Sequence, residues 1–86
     1  MGSYRIELTR SAEKDLRRID RSQTATIYAA LERLEQEPRP HGVKKLVGAN
    51  RIYRFRVGDY RLVYEIEDDV LVVLVIRIAH RKDVCR

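Results

Sequence analysis

The change of apolar period along the chain decides what it can fold into. Between Ala12 and Pro38 the apolar residues recur every three or four positions, as on one face of a helix, whereas downstream of Asn50 they alternate, as in half-buried strands. Three alternating segments follow in quick succession: residues 51 to 57 (RIYRFRV), 60 to 67 (YRLVYEIE) and 70 to 79 (VLVVLVIRIA). Gly58-Asp59 and Asp68-Asp69 separate them, and connections this short predict antiparallel hairpins. The last segment is apolar on both faces, which places it inside the sheet.

The first half supplies what the sheet must bury against. Residues 4 to 9 (YRIELT) alternate Tyr4, Ile6 and Leu8 with Arg5, Glu7 and Thr9, predicting a short strand. Ser11 is read as the cap of a helix carrying Ala12, Leu16 and Ile19, with Glu13 in the dipole-favoured first turn. After a break at Asp20-Arg21-Ser22, a second helix is expected from about Gln23 to Glu37, with Ile27, Leu31 and Leu34 on one stripe, Tyr28 beside it, and Pro38 and Pro40 as the stop. Residues 38 to 50 read as a basic connecting loop with Val43, Leu46 and Val47 as its anchors. The expectation is an α+β fold of order β-α-α-β-β-β: an N-terminal strand and an antiparallel helical hairpin packed on one face of a mainly antiparallel four-stranded sheet. At 86 residues, positions 1 to 86 are expected to make a single domain.

Alternation also sorts side chains between faces. Tyr53, Phe55 and Val57 form one apolar row, and Leu62, Tyr64 and Ile66 a second, so Arg54, Arg56 and Arg61, with Val63 and Glu65, fall on the face away from the helices. Taking Val72, Leu74 and Ile76 as the core row of the last strand puts Arg77 and Arg81 on the arginine side with Val73 and Val75. Five arginines then converge with one acid, Glu65.

Lys and Arg total 18 against 13 acidic residues, a formal charge of +5 that favours a polyanionic partner. Charge of this size also serves plain solubility, but a solubilising face mixes signs, and this one does not. Guanidinium groups bind phosphate oxygens in pairs and stay charged, so the row is read as a nucleic-acid backbone site. Lys44, Lys45, Arg77, Lys82 and Arg86 are candidate extensions of an RNA footprint, alongside the competing reading of solvated charge. The single cysteine, Cys85, provides no disulfide framework, and with two histidines, His41 and His80, no ligand spacing for a metal is present. No metal and no cofactor are expected. Met1-Gly2-Ser3 lacks a signal-like apolar region and no run approaches membrane-spanning length, so a cytoplasmic protein without a membrane partner is expected.

The segment Ile52-Tyr53-Arg54-Phe55-Arg56-Val57-Gly58-Asp59-Tyr60-Arg61-Leu62-Val63-Tyr64, then an apolar strand and His80-Arg81-Lys82-Asp83-Val84, resembles the RelE/ParE superfamily of toxins. The opening YRIELTRSAEKDLRRI and Lys45-Leu46 agree with it. The resemblance implies a toxin of a type II toxin-antitoxin system, neutralised by a cognate antitoxin protein. In the RelE branch it implies a metal-independent endoribonuclease that cleaves mRNA on the ribosome by attack of a ribose 2′-OH on the adjacent phosphate. Arg61 and Arg81 match the family's phosphate-stabilising arginines, and Arg54 and Arg56 match basic positions around the reacting hydroxyl. One position departs: Cys85 stands where active relatives carry a tyrosine, exchanging a stacking ring for a thiol with a different acid-base range. Cys85 is therefore a catalytic candidate with weakened activity implied. His80 has a suitable pKa range but the wrong parity, since a strand turns neighbours to opposite faces. The alternatives implied by the same resemblance are a ParE-like inhibitor of DNA gyrase and an inactive relative that only binds its antitoxin.

Overall fold

The computed structural model describes residues 3–46, 48 and 51–80, and within them two helices lie on one face of a five-stranded sheet. The elements in chain order are β1 (Arg5–Leu8), α1 (Arg10–Arg17), α2 (Arg21–Gln36), β2 (Lys44–Lys45), β3 (Ile52–Val57), β4 (Tyr60–Glu67) and β5 (Val72–His80). The spatial order is β1-β5-β4-β3-β2. Every neighbouring pair is antiparallel except β1 with β5, which is parallel across a connection that carries both helices and the three intervening strands.

The strand count corrects the expectation of four. Lys44 pairs with Arg54 and Lys45 with Tyr53, and the Leu46 amide donates to the Ile52 carbonyl at 2.9 Å, so part of the supposed loop is an edge strand. Two residues are too few to show a period, which is why composition alone reads as loop there. Helix starts move as well. Thr9, not Ser11, caps α1, its hydroxyl accepting from the Ala12 amide at 3.1 Å. Asp20 caps α2 by accepting from the Ser22 amide at 3.2 Å, so the helix opens at Arg21 rather than Gln23.

The core fills the space between the helices and the sheet. Ala12, Ile27, Leu34, Leu62, Tyr64, Val73 and Val75 are fully buried there, and each large aliphatic among them contributes about 1.5–3 kcal/mol of transfer free energy. Tyr64 stacks on Tyr53 with ring centroids 6.2 Å apart, and its hydroxyl donates to the Pro38 carbonyl at 2.8 Å, tying the end of α2 to the sheet. Burial pushes the Tyr64 phenol well above the ordinary tyrosine range. Tyr28, beside the apolar stripe of α2, is half exposed. The β3–β4 connection is the two-residue turn expected, with Gly58 at φ 58°. The β4–β5 connection is longer than expected: β5 begins at Val72, and Leu71 takes the left-handed conformation at φ 55°.

β5 also contains the departure that matters most for the faces. Val63 sits opposite Arg77 and Tyr64 opposite Val75, leaving Ile76 as the extra residue of a β-bulge. Val73, Val75 and Ile78 therefore supply the core row, rather than Val72, Leu74 and Ile76. The bulge lies where β1 ends, and side chains complete the exposed edge. The Thr9 hydroxyl donates to the Ile76 carbonyl at 2.8 Å, and the Asp15 carboxylate accepts from the Ile78 amide at 2.9 Å.

Candidate nucleic-acid interface

The register of the sheet builds the open face in rows, because directly opposed residues share a face. One row runs Arg56, Arg61, Ala79 across β3, β4 and β5. The next runs Lys44, Arg54, Val63, Arg77 from β2 to β5, and the third runs Ile52, Glu65, Leu74, Glu7. Adjacent rows are about 7 Å apart, two strand residues at roughly 3.4 Å each. The face thus grades from cationic to apolar and anionic along the strands. Glu65 is on the same face as Arg61, but four residues along the strand puts it about 13 Å away, too far to neutralise it.

Lys44, Arg54, Arg56 and Arg61, with Gly42, line a cavity of about 210 Å³. Arg54 and Arg56 are exposed and Arg61 is half-buried. None of the four joins an ion pair among the described residues, where the pairs are Arg5–Glu7, Arg39–Asp68 and Arg77–Asp15. Arg56 has only a long contact, its Nε donating to the Gly58 carbonyl at 3.5 Å. Two like-charged pairs stand directly opposed, Lys44 with Arg54 and Arg56 with Arg61. Such pairs destabilise a sheet, so this cluster costs stability unless an anion enters it. Cations held at fixed spacing on a rigid sheet can bind a phosphate and stabilise charge that grows on it.

The other sequence candidates are placed differently. Lys45 opposes Tyr53 and lies on the helix side of the sheet. The backbone of Arg77 belongs to the arginine row, but its guanidinium turns to Asp15, Nε to Oδ2 at 2.7 Å and a second nitrogen to Oδ1 at 3.2 Å. Of the five arginines expected to converge, Arg54, Arg56 and Arg61 do so, Arg77 turns away, and Arg81 lies outside the described residues. Burial would raise the Asp15 carboxyl, but the Arg77 hydrogen bond, the Ile78 amide and the charges of Arg77 and Arg18 outweigh it and hold Asp15 below the usual carboxylate range. Arg81, Lys82, Cys85 and Arg86 lie outside the described residues. His80 opposes Tyr60 on the helix side, their rings edge to face at 5.1 Å, and lies in a separate cavity with Asp15, Arg18 and Arg77. His41 is exposed.

Two features escaped the sequence. Gly42 borders the cavity from the turn before β2, where its φ of 94° suits glycine, and a glycine just ahead of a basic pair is the signal that could have marked it. At the far end of the molecule Arg39 clasps Asp68 through two bonds of 2.8 and 3.2 Å, lies 5.2 Å over the Tyr53 ring, and leaves Asp68 to accept also from the Tyr4 hydroxyl at 2.7 Å. Arg39 and the Tyr4 hydroxyl hold the Asp68 carboxyl down at about 2. Nothing in the sequence links residues so far apart.

Known proteins with this geometry share one biology. The family model describing the ParE toxin of the type II toxin-antitoxin system parDE matches residues 6–84. Toxin RelG of Mycobacterium tuberculosis is 32% identical over 96% of this chain and 97% of its own length, and the putative toxin RelE1 of Methanocaldococcus jannaschii is 26% identical over 92% of this chain and 91% of its own. The fold superposes on the archaeal RelE-RelB complex from Pyrococcus horikoshii with a TM-score of 0.81 at 27% identity, covering 92% of this chain and 96% of that one. The intact E. coli RelBE toxin-antitoxin complex gives 0.80 at 26% identity, covering 91% and 96%. The fold, the near-complete coverage and the family match together establish the chain as a RelE-like member of the ParE toxin family, a toxin of a type II toxin-antitoxin system in the RelE/ParE superfamily.

Proposed function

We propose that this toxin is a ribosome-dependent mRNA endoribonuclease that needs no metal and is silenced by a cognate antitoxin. The observation that carries the reading is the cavity where Lys44, Arg54, Arg56 and Arg61 meet without an acidic side chain in its lining. In this reading Arg61, joined by Arg81, holds the scissile phosphate. The 2′-oxygen bonds to phosphorus as the bond to the 5′-oxygen breaks, leaving a 2′,3′-cyclic phosphate and a free 5′-hydroxyl, and guanidiniums already in place stabilise the charge on the pentacoordinate centre without reorganising. Arg54 and Arg56 flank the attacking hydroxyl as electrostatic groups, because guanidinium does not give up a proton near neutrality. The proton lost by the 2′-OH and the proton gained by the departing 5′-oxygen then pass through Cys85, a thiol whose ordinary pKa of about 8.5 differs from the phenol's and which offers no ring for base stacking. Lys44, Lys82 and Arg86 extend the footprint, Lys45 on the helix side does not join it, and the Asp15 contact turns Arg77 toward the helices and makes it a structural member.

Purified toxin added to a translation system should cut message at defined codons. Arg61→Ala and Arg54→Ala should each slow cleavage by on the order of 100- to 1,000-fold, the usual loss of one preorganised charge donor. Intact message at high toxin dose rejects the reading. The ParE name of the matching family keeps open the second reading that the resemblance implied, a ParE-like inhibitor of DNA gyrase, for which supercoiling is blocked while translation proceeds. Cys85→Tyr separates both from an inactive relative: a large gain in cleavage means that the arginine site is competent and the missing ring sets the rate. The antitoxin assignment draws on the RelE complexes with RelB, and co-purification with the product of a neighbouring reading frame tests it.

A further inference from the structure

Within the sheet, the far half of β5 is held by β4 alone. β1 pairs with Val72 to Val75 and stops at Leu8, so from Ile76 to His80 no strand among the described residues lies on the outer side of β5. Two side chains from the helical layer stand in for one. The Thr9 hydroxyl donates to the Ile76 carbonyl at 2.8 Å, and the Asp15 carboxylate accepts from the Ile78 amide at 2.9 Å and from the Arg77 guanidinium at 2.7 and 3.2 Å. The Asp15 side chain is only 13% exposed, so it is anchored to the strand rather than set out to solvate the surface.

These contacts fall on the bulge, and the bulge decides what stands beside Arg61. Continuing the register of Tyr64 with Val75 unbroken would set Leu62 against Arg77 and Arg61 against Ile78. Instead the extra residue returns Ile78 to the core opposite Leu62 and puts Ala79 opposite Arg61. The smallest side chain of β5 thus stands beside the half-buried arginine, where an isoleucine would crowd its guanidinium. Arg77 is drawn off the same face to Asp15. Alternation past Ala79 assigns position 81 to this face as well, the parity that joining Arg81 to Arg61 on a phosphate requires. The apolar pattern alone leaves the site of the bulge undecided. Burying both Val75 and Ile78 needs one extra residue between them, and either Ile76 or Arg77 satisfies that. Thr9 and Asp15 select Ile76.

We infer that Thr9 and Asp15 are positioning residues of the arginine site: bonded to the bulge from the helical layer, they hold the end of β5 in the register that sets Ala79, not Ile78, beside Arg61. They act through the strand and not on RNA. The inference rests on the RNA-cleavage reading of that site, where a displacement of about 1 Å around a reacting group costs on the order of 100-fold in rate.

The test pairs single-turnover cleavage of ribosome-bound message with hydrogen exchange of the full-length toxin. Thr9→Asp keeps an acceptor for the Ala12 amide and so keeps the helix cap, but a carboxylate has no proton to donate to the Ile76 carbonyl. The rate constant should fall roughly 10- to 100-fold with KM unchanged. The amides of Arg77, Ile78 and Ala79 should exchange about tenfold faster while those of β3 keep their rates. Asp15→Ala should act alike, and Thr9→Ser, which retains the hydroxyl, should match the wild type in both measurements. In an Arg61→Ala background Thr9→Asp should cost little more, because the two changes disturb one alignment, whereas a general loss of folding would multiply with it. Full rate in Thr9→Asp and Asp15→Ala overturns the inference. So does a multiplied loss in the Arg61→Ala background, or exchange that speeds equally across β3 and β5. A wild type that leaves message intact rejects the cleavage reading instead, and the exchange contrast then decides whether the helical layer holds the end of β5.

Discussion

Neutralising one member of the opposed pair Arg56 and Arg61 should make the protein more stable while it makes the toxin less active. The two residues face each other across β3 and β4 next to the Gly58 turn, without an ion-pair partner among the described residues. Directly opposed side chains start about 5 Å apart at Cβ, and two unit charges at that distance in water repel by roughly 0.8 kcal/mol. Side-chain splaying relieves part of it, leaving about 0.5 kcal/mol, or roughly 2–4 °C in Tm for a domain of this size. Arg61→Gln keeps most of the aliphatic stem and removes only the charge. Urea and thermal unfolding at low and high salt, read beside RNA cleavage, give the answer. The variant should gain stability at low salt, the gain should shrink as salt screens the wild-type repulsion, and cleavage should fall. A loss of stability at both salts would refute the reasoning, because Arg61 would then be a packing residue whose charge is incidental.

Three further outcomes follow from the same contacts. Asp15→Ala removes the Arg77 partner and leaves the Ile78 amide unbonded, so it should cost about 1–3 kcal/mol in urea unfolding; an unchanged midpoint would show that water replaces the carboxylate. Because the folded Asp15 carboxyl is held below its ordinary value, its contribution is fully present above the unfolded pKa of about 3.9 and is lost as pH falls through the lowered folded value. The stability gap between wild type and Asp15→Asn should therefore stay constant at neutral pH and close in acid, and a gap that widens there would reverse the assignment. Tyr64→Phe strands the buried Pro38 carbonyl and should cost about 1–3 kcal/mol, measured by chemical unfolding, with RNA binding unaffected.

How far the sequence revealed this fold depended on whether the deciding contact was periodic or particular. Alternation in RIYRFRV and YRLVYEIE placed Arg54, Arg56 and Arg61 on one face because β3 and β4 run without interruption, and their register leaves no freedom once one face is buried. The same logic failed in β5. A bulge at Ile76 shifts parity by one, so Val73 and Val75 enter the core although the pattern favoured Val72 and Leu74. In a segment apolar on both faces, nothing distinguishes the two assignments. Ser11 and Thr9 are equally good caps by chemistry, and the choice fell to Thr9 because its hydroxyl also serves the bulge carbonyl of Ile76. Lys44 became a strand residue only by pairing with Arg54.

The distribution of acids explains why the open face stays cationic in a chain that carries 13 of them. Asp68 is fixed by Arg39 and Tyr4, Asp15 by Arg77 and the β5 edge, Glu7 by Arg5, and Asp20 by the start of α2. Asp68, Asp15 and Asp20 are bound at an edge or a terminus, where each replaces a missing backbone partner or closes a loop, and Glu7 pairs within the edge strand β1. Glu65 faces the cationic rows but sits among Ile52 and Leu74, about four strand residues from Arg61. The sheet then supplies the remaining condition. Its register holds like charges at a spacing that a flexible loop would relax, and the core on the opposite face offsets the repulsion. A charged cluster of this kind binds an anion with gain on both sides, since the ligand removes a strain that the empty fold carries.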